Sequence, residues 1–409
     1  MIEISALQSP LKNQLAITGS KSESNRLLLL NKLFNQVLTL ENVSNSEDSQ
    51  LMQKALANET DLIDIHHAGT AMRFLTAYFS IQEGRTITIT GSARMKQRPI
   101  KVLVDALNQL GAEITYAENE GFPPLKIVGK KITTNSITIP SNISSQYITA
   151  LSLIGTKLEN GLTITLDGKI ISVPYIQMTI ELLNRVGIKA IFEENTITIP
   201  FTENIQSEKL QVESDWSSAS YYYSLIALSK ESEITISTYF ENSLQGDSAL
   251  QNIYAEHFGV ISTFKDGSLT LKNNPAFSLE NRIELDLINT PDIAQTIAAT
   301  CVGLKAKCLL TGLETLKIKE TDRLVALKNE LEKFGAIITI TDDSLSIDGY
   351  NAYTTVPKLE TYNDHRMAMC MAPLAQIYSI RINNEMVVEK SYPTFWEDWT
   401  KLGFEIKAI

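Results

Sequence analysis

The sequence predicts an α/β fold of two domains, each assembled from three copies of one supersecondary unit. Three observations predict it. The chain has 409 residues, too many for one ordinary hydrophobic core. A pattern of amphipathic helix, glycine, alternating strand, polar turn and second strand recurs along it. The glycines of that pattern fall at 111, 187, 259 and 335, at intervals of 76, 72 and 76, with a shorter echo at Gly403 a further 68 on. A period near 70 suits an α/β unit of several elements, and about six such units fill the chain.

The repeat reads "VDALNQLGAEITYAENEGFPPLKI", "IELLNRVGIKAIFEENTITI", "LQNIYAEHFGVISTFKDGSLTL" and "ALKNELEKFGAIITITDDSLSI", ending in "WTKLGFEIKAI". Each glycine stands where the residue after a helix needs positive φ, which costs glycine little. The strand that follows alternates, as in Ala112-Glu113-Ile114-Thr115-Tyr116, so one face is buried.

Composition narrows the function. With 44% hydrophobic and 20% charged residues the chain reads as soluble and globular, and no apolar run nears the ~18 residues of a membrane span. The start "MIEISALQSPLKNQL" lacks a basic region leading into an apolar one, so no secretory signal is expected. Three cysteines (Cys301, Cys308, Cys370) without metal-ligand spacing read as reduced, buried thiols of a cytoplasmic protein. Four histidines outside any His/Cys/Asp cluster argue for no metal. A net charge of −11 opposes a nucleic-acid partner but leaves room for a small anionic substrate held by local cations.

Such cations occur at predicted helix starts. In "GSKSESNRLLLL" (19–30), Ser20 and Glu23 have capping-box spacing, so a helix starts near Lys21 and carries Arg26. It is either an ordinary cap with surface cations or an anion site at a helix N-terminus. "HHAGTAMRF" (66–74) makes a small-residue turn at Ala68-Gly69-Thr70 before a helix bearing Arg73; Gly69 serves either close ligand approach or a tight turn. "ARMKQRPI" (93–100) is a basic loop of Arg94, Lys96 and Arg98 stopped by Pro99. "SNISSQYITAL" (141–151) and "ISVPYIQMTIEL" offer hydrogen-bonding side chains before apolar helices.

In the second half, "NTPDIAQTIAATCVGL" has Thr290 as cap, Pro291 at the first helical position and Asp292 beside it. "LKIKETDRLVALKNEL" packs Lys317, Lys319, Glu320, Asp322 and Arg323 together; the plain reading is an i,i+3 pair of Glu320 and Arg323 on a solvated face. "TYNDHRMAMCMAPLAQ" places Asp364, His365 and Arg366 before a helix whose methionines pack a core, and Lys390 stands in an acidic and aromatic tail. If equivalent units orient their helices alike, these starts gather into one positive site on an acidic protein, suited to a multiply anionic substrate.

These motifs resemble, from end to end and in order, those of the enolpyruvyl transferases: GSKSxSNR (19–26), AGTAMR (68–73), RMKxRP (94–99), SSQ (144–146), SxPY (172–175), PD (291–292), KETDR (319–323), NDHRMAM (363–369) and KSYP (390–393). The resemblance implies two pseudo-threefold domains, each an inside-out α/β barrel of three βαβαββ units, with the active site in the cleft between them. One domain would comprise 19–215, the other 1–18 with 216–409, the chain crossing twice. The implied reaction, on the shikimate pathway to chorismate and aromatic amino acids, moves the enolpyruvyl group of phosphoenolpyruvate to the 5-hydroxyl of shikimate 3-phosphate. It releases phosphate by addition–elimination through a tetrahedral intermediate. The resemblance further implies no cofactor and no metal, small anionic substrates as the only partners, and a cytoplasmic monomer.

The residue roles follow from the same resemblance. Asp292 matches the acceptor of the hydroxyl proton and Glu320 the acid/base serving the methylene carbon, with Lys21 and His365 assisting. Shikimate 3-phosphate falls to Lys21, Ser22, Arg26, Ser144, Ser145, Gln146, Ser172, Tyr175, Asp292, Thr315 and Lys319. Phosphoenolpyruvate falls to Lys21, His67, Gly69, Thr70, Arg98, Gln146, Arg323, Arg366 and Lys390.

Two positions depart from the family pattern: His67 replaces the usual asparagine, which would make binding pH-sensitive near neutrality, and Thr315 replaces a frequent asparagine with shorter reach. Gly69 leaves its pocket free of a methyl group, so inhibition by glyphosate is expected. The sister enzymes acting on a UDP-aminosugar carry a reactive cysteine that the 93–99 loop lacks. An RNA-phosphate cyclase of related architecture is opposed by the acidic charge. A non-catalytic anion binder would not need Asp292 and Glu320 beside its ligand.

Overall fold

All five repeat glycines follow helices in the left-handed conformation the sequence calls for: φ is 109° at Gly111, 88° at Gly187, 65° at Gly259, 83° at Gly335 and 101° at Gly403. The structure, a computed structural model, describes residues 1–7, 9–141, 144–353 and 356–409. The chain separates into two compact units, Gly19–Val212 and Met1–Thr18 with Glu213–Ile409. The second break therefore precedes Glu213, where the sequence reading put it after Asp215. Ser214 Oγ donates to the Ile17 carbonyl (2.7 Å) and the Asp215 N–H to that of Thr18 (3.2 Å), which ties these residues to the N-terminal segment.

The Gly19–Val212 unit holds helices α1 (Lys21–Leu33), α2 (Glu47–Ala57), α3 (Gly69–Ser80), α4 (Lys101–Leu110), α5 (Ser145–Gly155) and α6 (Val173–Arg185). One sheet runs Leu62–Asp64, Thr86–Thr90, Leu125–Val128, Glu113–Tyr116; the other runs Ser136–Pro140, Leu162–Asp167, Thr196–Ile199, Ile191–Glu193. In both, the first two strands are parallel and the last two form an antiparallel hairpin, which is the βαβαββ unit. The third unit is curtailed. Thr39–Glu41 pairs in parallel with Lys209–Gln211, and no further strand joins them among the described residues. Only 58–61 separate α2 from the next strand, too little chain for a hairpin. This corrects the expectation of three full units here and explains why the helix–glycine–strand pattern occurs five times in a chain of six units.

The other unit holds α7 (Trp216–Leu228), α8 (Leu250–Phe258), α9 (Ala294–Leu304), α10 (Arg323–Leu331), α11 (His365–Met371) and α12 (Phe395–Lys401). Its three sheets are all four-stranded with the same order. Two of them borrow a strand from the chain start: Lys12–Leu15 pairs in parallel with Glu233–Ser237, and Ile2–Ile4 lies antiparallel between Ile380–Ile382 and Ile406–Ala408.

Within each unit the helices divide into buried and amphipathic kinds. α1, α3 and α5 pack on one another, and α9 packs against both α7 and α11. Every residue of α3 is buried, as are all but the last of α9, so these helices are covered on all sides. α4 buries only Leu103, Val104, Ala106, Leu107 and Leu110, a single stripe. Strands bury alternate residues, with Ile137 and Ile139 covered and Ser136 and Thr138 exposed. Helices thus lie inside and sheets outside, and the buried helices can present only their ends to solvent. One local expectation changes: Thr290 makes no side-chain cap, because Pro291–Ile293 form a 3₁₀ turn ahead of α9. Met367, Met369, Met371 and the three free cysteines are buried, as predicted, and no described helix is long and apolar enough to cross a membrane.

Candidate active site

Many of the predicted site residues lie at or near helix starts, and within each unit hydrogen bonds and ion pairs link several of them. In the Gly19–Val212 unit, α1 begins at Lys21 and Ser20 Oγ accepts from the Glu23 N–H at 3.4 Å, as the capping spacing requires. Lys21 Nζ lies 3.4 Å from Asp48 Oδ2. Arg26 is buried and already well used. Its Nε donates to Thr179 Oγ1 (2.9 Å), Nη1 to the Ser22 carbonyl (2.8 Å), and Nη2 to Thr149 Oγ1 and the Tyr175 carbonyl (3.2 Å each). Four of five N–H donors therefore serve the protein. Burial lowers its pKa to about 10 against the pull of Tyr175 and Glu23. Arg26 thus ties the Ser22 and Tyr175 carbonyls to Thr149 and Thr179.

Gly69 explains the next cluster. A Cβ there would stand 2.5 Å from Arg98 Nη1 and 2.9 Å from Arg73 Nη1, so both guanidinium groups lie against its open face. Arg73 Nη1 donates to the Gly69 carbonyl (2.7 Å), and the buried Nε atoms of Arg73 and Arg98 meet no acceptor among the described residues. Burial, reinforced by Arg98, lowers the pKa of Arg73 to about 10. Of the basic loop, Arg94 points to solvent and Lys96 pairs with Glu118, while Arg98 turns inward. His67 is exposed with Nδ1 2.8 Å from Ser92 Oγ. Gln146 Nε2 donates to Thr70 Oγ1 (3.2 Å), and Ser144 caps α5 by accepting from the Gln146 N–H (3.4 Å). Ser145 opens α5, and Ser172 precedes α6 with φ of 54°.

In the second unit, carboxylates and cations interlock. Asp292 Oδ1 accepts from Arg323 Nη1 (3.0 Å) and lies 3.4 Å from Lys319 Nζ; its Oδ2 accepts from Arg366 Nη2 (3.2 Å). Arg366 Nη1 also holds the Asp292 carbonyl (3.0 Å). Arg323 is 1% exposed, so its pairing with Glu320 (2.8 Å) is buried rather than solvated, and Nε binds Asp364 (2.7 Å). Burial alone would raise the Asp292 pKa, but Arg366, Lys319 and Arg323 together hold it well below the usual carboxylate range. Burial opposes the charge on Arg323 and Arg366, and the surrounding carboxylates outweigh it to keep both protonated. His365 opens α11 with Nδ1 3.9 Å from Asp364, and Lys390 Nζ donates to the Asn363 carbonyl (2.6 Å). Thr315 Oγ1 is buried with no partner among the described residues.

The sequence reading gave no role to several groups that complete these clusters. Asp48, Thr149 and Thr179 carry no local signal, since isolated polar residues inside helices abound. Arg73 and Asp364 were visible in their motifs without an assigned partner. Ser217, in "DWSSASYYY", repeats the serine pair seen at 144–145.

Residues 52–399 match the family model of EPSP synthase (3-phosphoshikimate 1-carboxyvinyltransferase). The chain is 44% identical over 403 residues to the 3-phosphoshikimate 1-carboxyvinyltransferase of Bacteroides fragilis strain YCH46, covering 98% of this chain and 97% of that protein. The protein so named from Colwellia psychrerythraea is 35% identical over 422 residues, covering 95% and 96%. Among solved structures, the EPSP synthase of Acinetobacter baumannii superposes with a TM-score of 0.77 over 100% of this chain and 99% of that chain, a likeness of fold at 19% identity.

Proposed function

The chain belongs to the EPSP synthase family, and from that premise we propose how its residues divide the work. The chain transfers the enolpyruvyl group of phosphoenolpyruvate to the 5-hydroxyl of shikimate 3-phosphate and releases phosphate, on the shikimate pathway to aromatic amino acids. Both substrates are anions, so bringing them into contact requires surrounding cations and oriented donors. Ser22, Ser144, Ser145, Gln146, Ser172, Tyr175, Thr315 and Lys319 receive shikimate 3-phosphate, with Arg26 organising Ser22 and Tyr175. His67, Gly69, Thr70, Arg98, Arg323, Arg366 and Lys390 receive phosphoenolpyruvate, and Lys21 serves both.

The observation that carries this reading is the cluster of Asp292 with Lys319, Arg323 and Arg366, beside Glu320. So tightly held, Asp292 is a poor base. The carboxylate and phosphate of phosphoenolpyruvate are chemical equivalents of Asp292 and Glu320 as partners for the two arginines. Exchange of partners on binding frees Asp292 from part of its positive surroundings, and its proton affinity rises as the hydroxyl arrives. Asp292 then accepts the hydroxyl proton while the oxygen adds to the enol carbon. Glu320, with Lys21 and His365, handles the proton at the methylene carbon, and the tetrahedral adduct loses phosphate.

The assay is phosphate release from phosphoenolpyruvate with shikimate 3-phosphate or with a UDP-aminosugar as acceptor. Release only with the second overturns the reading. The proposal extends to a monomer in the cytoplasm, and light scattering on the purified protein tests the monomer.

A further inference from the structure

We propose that Asp247, acting through Ser217, is a positioning residue that fixes Arg366 for its anionic substrate, an inference that rests on the assignment of Arg366 to phosphoenolpyruvate. Asp247 sits in the 3₁₀ turn Gly246–Ala249 and is 4% exposed. That turn is pinned to the start of α7. Gln245 Oε1 accepts from the Trp216 N–H (3.0 Å), while its Nε2 donates to the Ser214 carbonyl (2.9 Å) and to Glu213 Oε2 (3.3 Å). Glu213 is itself held by Trp216 Nε1 (2.8 Å) and the Phe240 N–H (2.9 Å). The Asp247 carboxylate is thus built into the unit and aimed at Ser217, whose hydroxyl donates to Asp247 Oδ2.

A serine hydroxyl has one proton, and an ionised carboxylate can only accept. With the proton directed at Asp247, the oxygen's lone pairs face away from it, and Arg366 Nη2 donates to that oxygen at 3.1 Å. Burial, with Asp292 and then Asp215 adding to it, pushes the Asp247 pKa up to about 6, while Arg366 and the Ser217 hydrogen bond pull the other way and favour the carboxylate. Arg366 therefore has two kinds of contact. Its bond to the Asp292 carboxylate is the one a substrate anion replaces, whereas its bonds to Ser217 and to the Asp292 carbonyl remain and keep the guanidinium plane in register. A carboxylate touching Arg366 directly would compete with that anion. The interposed hydroxyl keeps the charge one hydrogen bond away while still orienting the donor.

The test compares Ser217→Ala, Ser217→Thr and Asp247→Asn with the wild type in steady-state phosphate release. Ser217→Ala is expected to raise the KM for phosphoenolpyruvate about tenfold while kcat stays within about threefold, as for loss of an oriented charged hydrogen bond. The KM for shikimate 3-phosphate should stay within about twofold, Ser217→Thr should recover most of the loss, and Asp247→Asn should shift the same constant in the same direction. The inference is overturned if neither Ser217→Ala nor Asp247→Asn moves the phosphoenolpyruvate KM, or if both KM values rise together with a fall in Tm that threonine does not rescue. A wild type without phosphate release from this substrate pair would instead defeat the functional assignment, so the two failures are distinct.

Discussion

Replacing Asp292 with asparagine should separate catalysis from binding. The substitution keeps volume and one acceptor oxygen but removes the charge shared by Lys319, Arg323 and Arg366. A positioned general base contributes about 10²- to 10⁴-fold, so kcat should fall by that factor. Binding should move the other way, because asparagine competes less well for the arginines. One unit-charge contact near ~4 Å amounts to about 4 kcal/mol at an effective dielectric of about 20. Asp292 is 17% exposed, and Arg323 keeps Asp364 and Glu320, so only part of that is released to a ligand. A quarter of it, about 1 kcal/mol, corresponds to roughly fivefold tighter binding. Phosphate-release kinetics give kcat, and calorimetric titration with phosphoenolpyruvate gives Kd. A kcat loss under about tenfold would refute the role as base, and Kd weakening by the same factor as kcat would make Asp292 a structural residue.

Because the Asp292 pKa is depressed in the folded state, its stabilisation is full above the unfolded value of about 3.9 and declines as pH falls below it. The stability gap between wild type and Asp292→Asn in urea melts should therefore narrow by about 1.4 kcal/mol per pH unit below about pH 4; a constant gap would contradict the ion-pair account. Gly69→Ala should raise the phosphoenolpyruvate KM about tenfold, since Arg98 must retreat from a Cβ placed 2.5 Å away, with Tm nearly unchanged. The unsubstituted protein should be inhibited by glyphosate in competition with phosphoenolpyruvate, and full activity at saturating inhibitor with limiting substrate would refute that. Arg26→Lys should cost about 2 kcal/mol in chemical denaturation, because an ammonium cannot reach Thr179, Thr149, Ser22 and Tyr175 at once.

Much of this architecture is legible in local chemistry. Gly111, Gly187, Gly259, Gly335 and Gly403 mark helix ends because positive φ is a property of single residues. Ser20 and Glu23 mark a helix start because the cap spans three positions. The curtailed unit was hidden, although its trace was there: five glycines in a chain long enough for six units, with the missing hairpin between Ala57 and Leu62. Arg26 was recognisable as an important cation, but not that Thr149 and Thr179 would take its donors, since those residues lie 123 and 153 positions away.

Caps, turns and periodicity act over a few residues, so the helix ends of five repeat units and the kinds of chemical group near the helix starts are legible locally, while the curtailed unit and the 3₁₀ turn at Pro291 are not. Tertiary structure alone decided which groups meet. Arg366 reaches Asp292 across 74 positions and Ser217 across 149, so no local pattern could pair them. Their meeting depends on α7, α9 and α11 packing with their starts together. That packing turns separate cations and carboxylates into one balanced cluster, in which each charge is set by its neighbours rather than by its residue type.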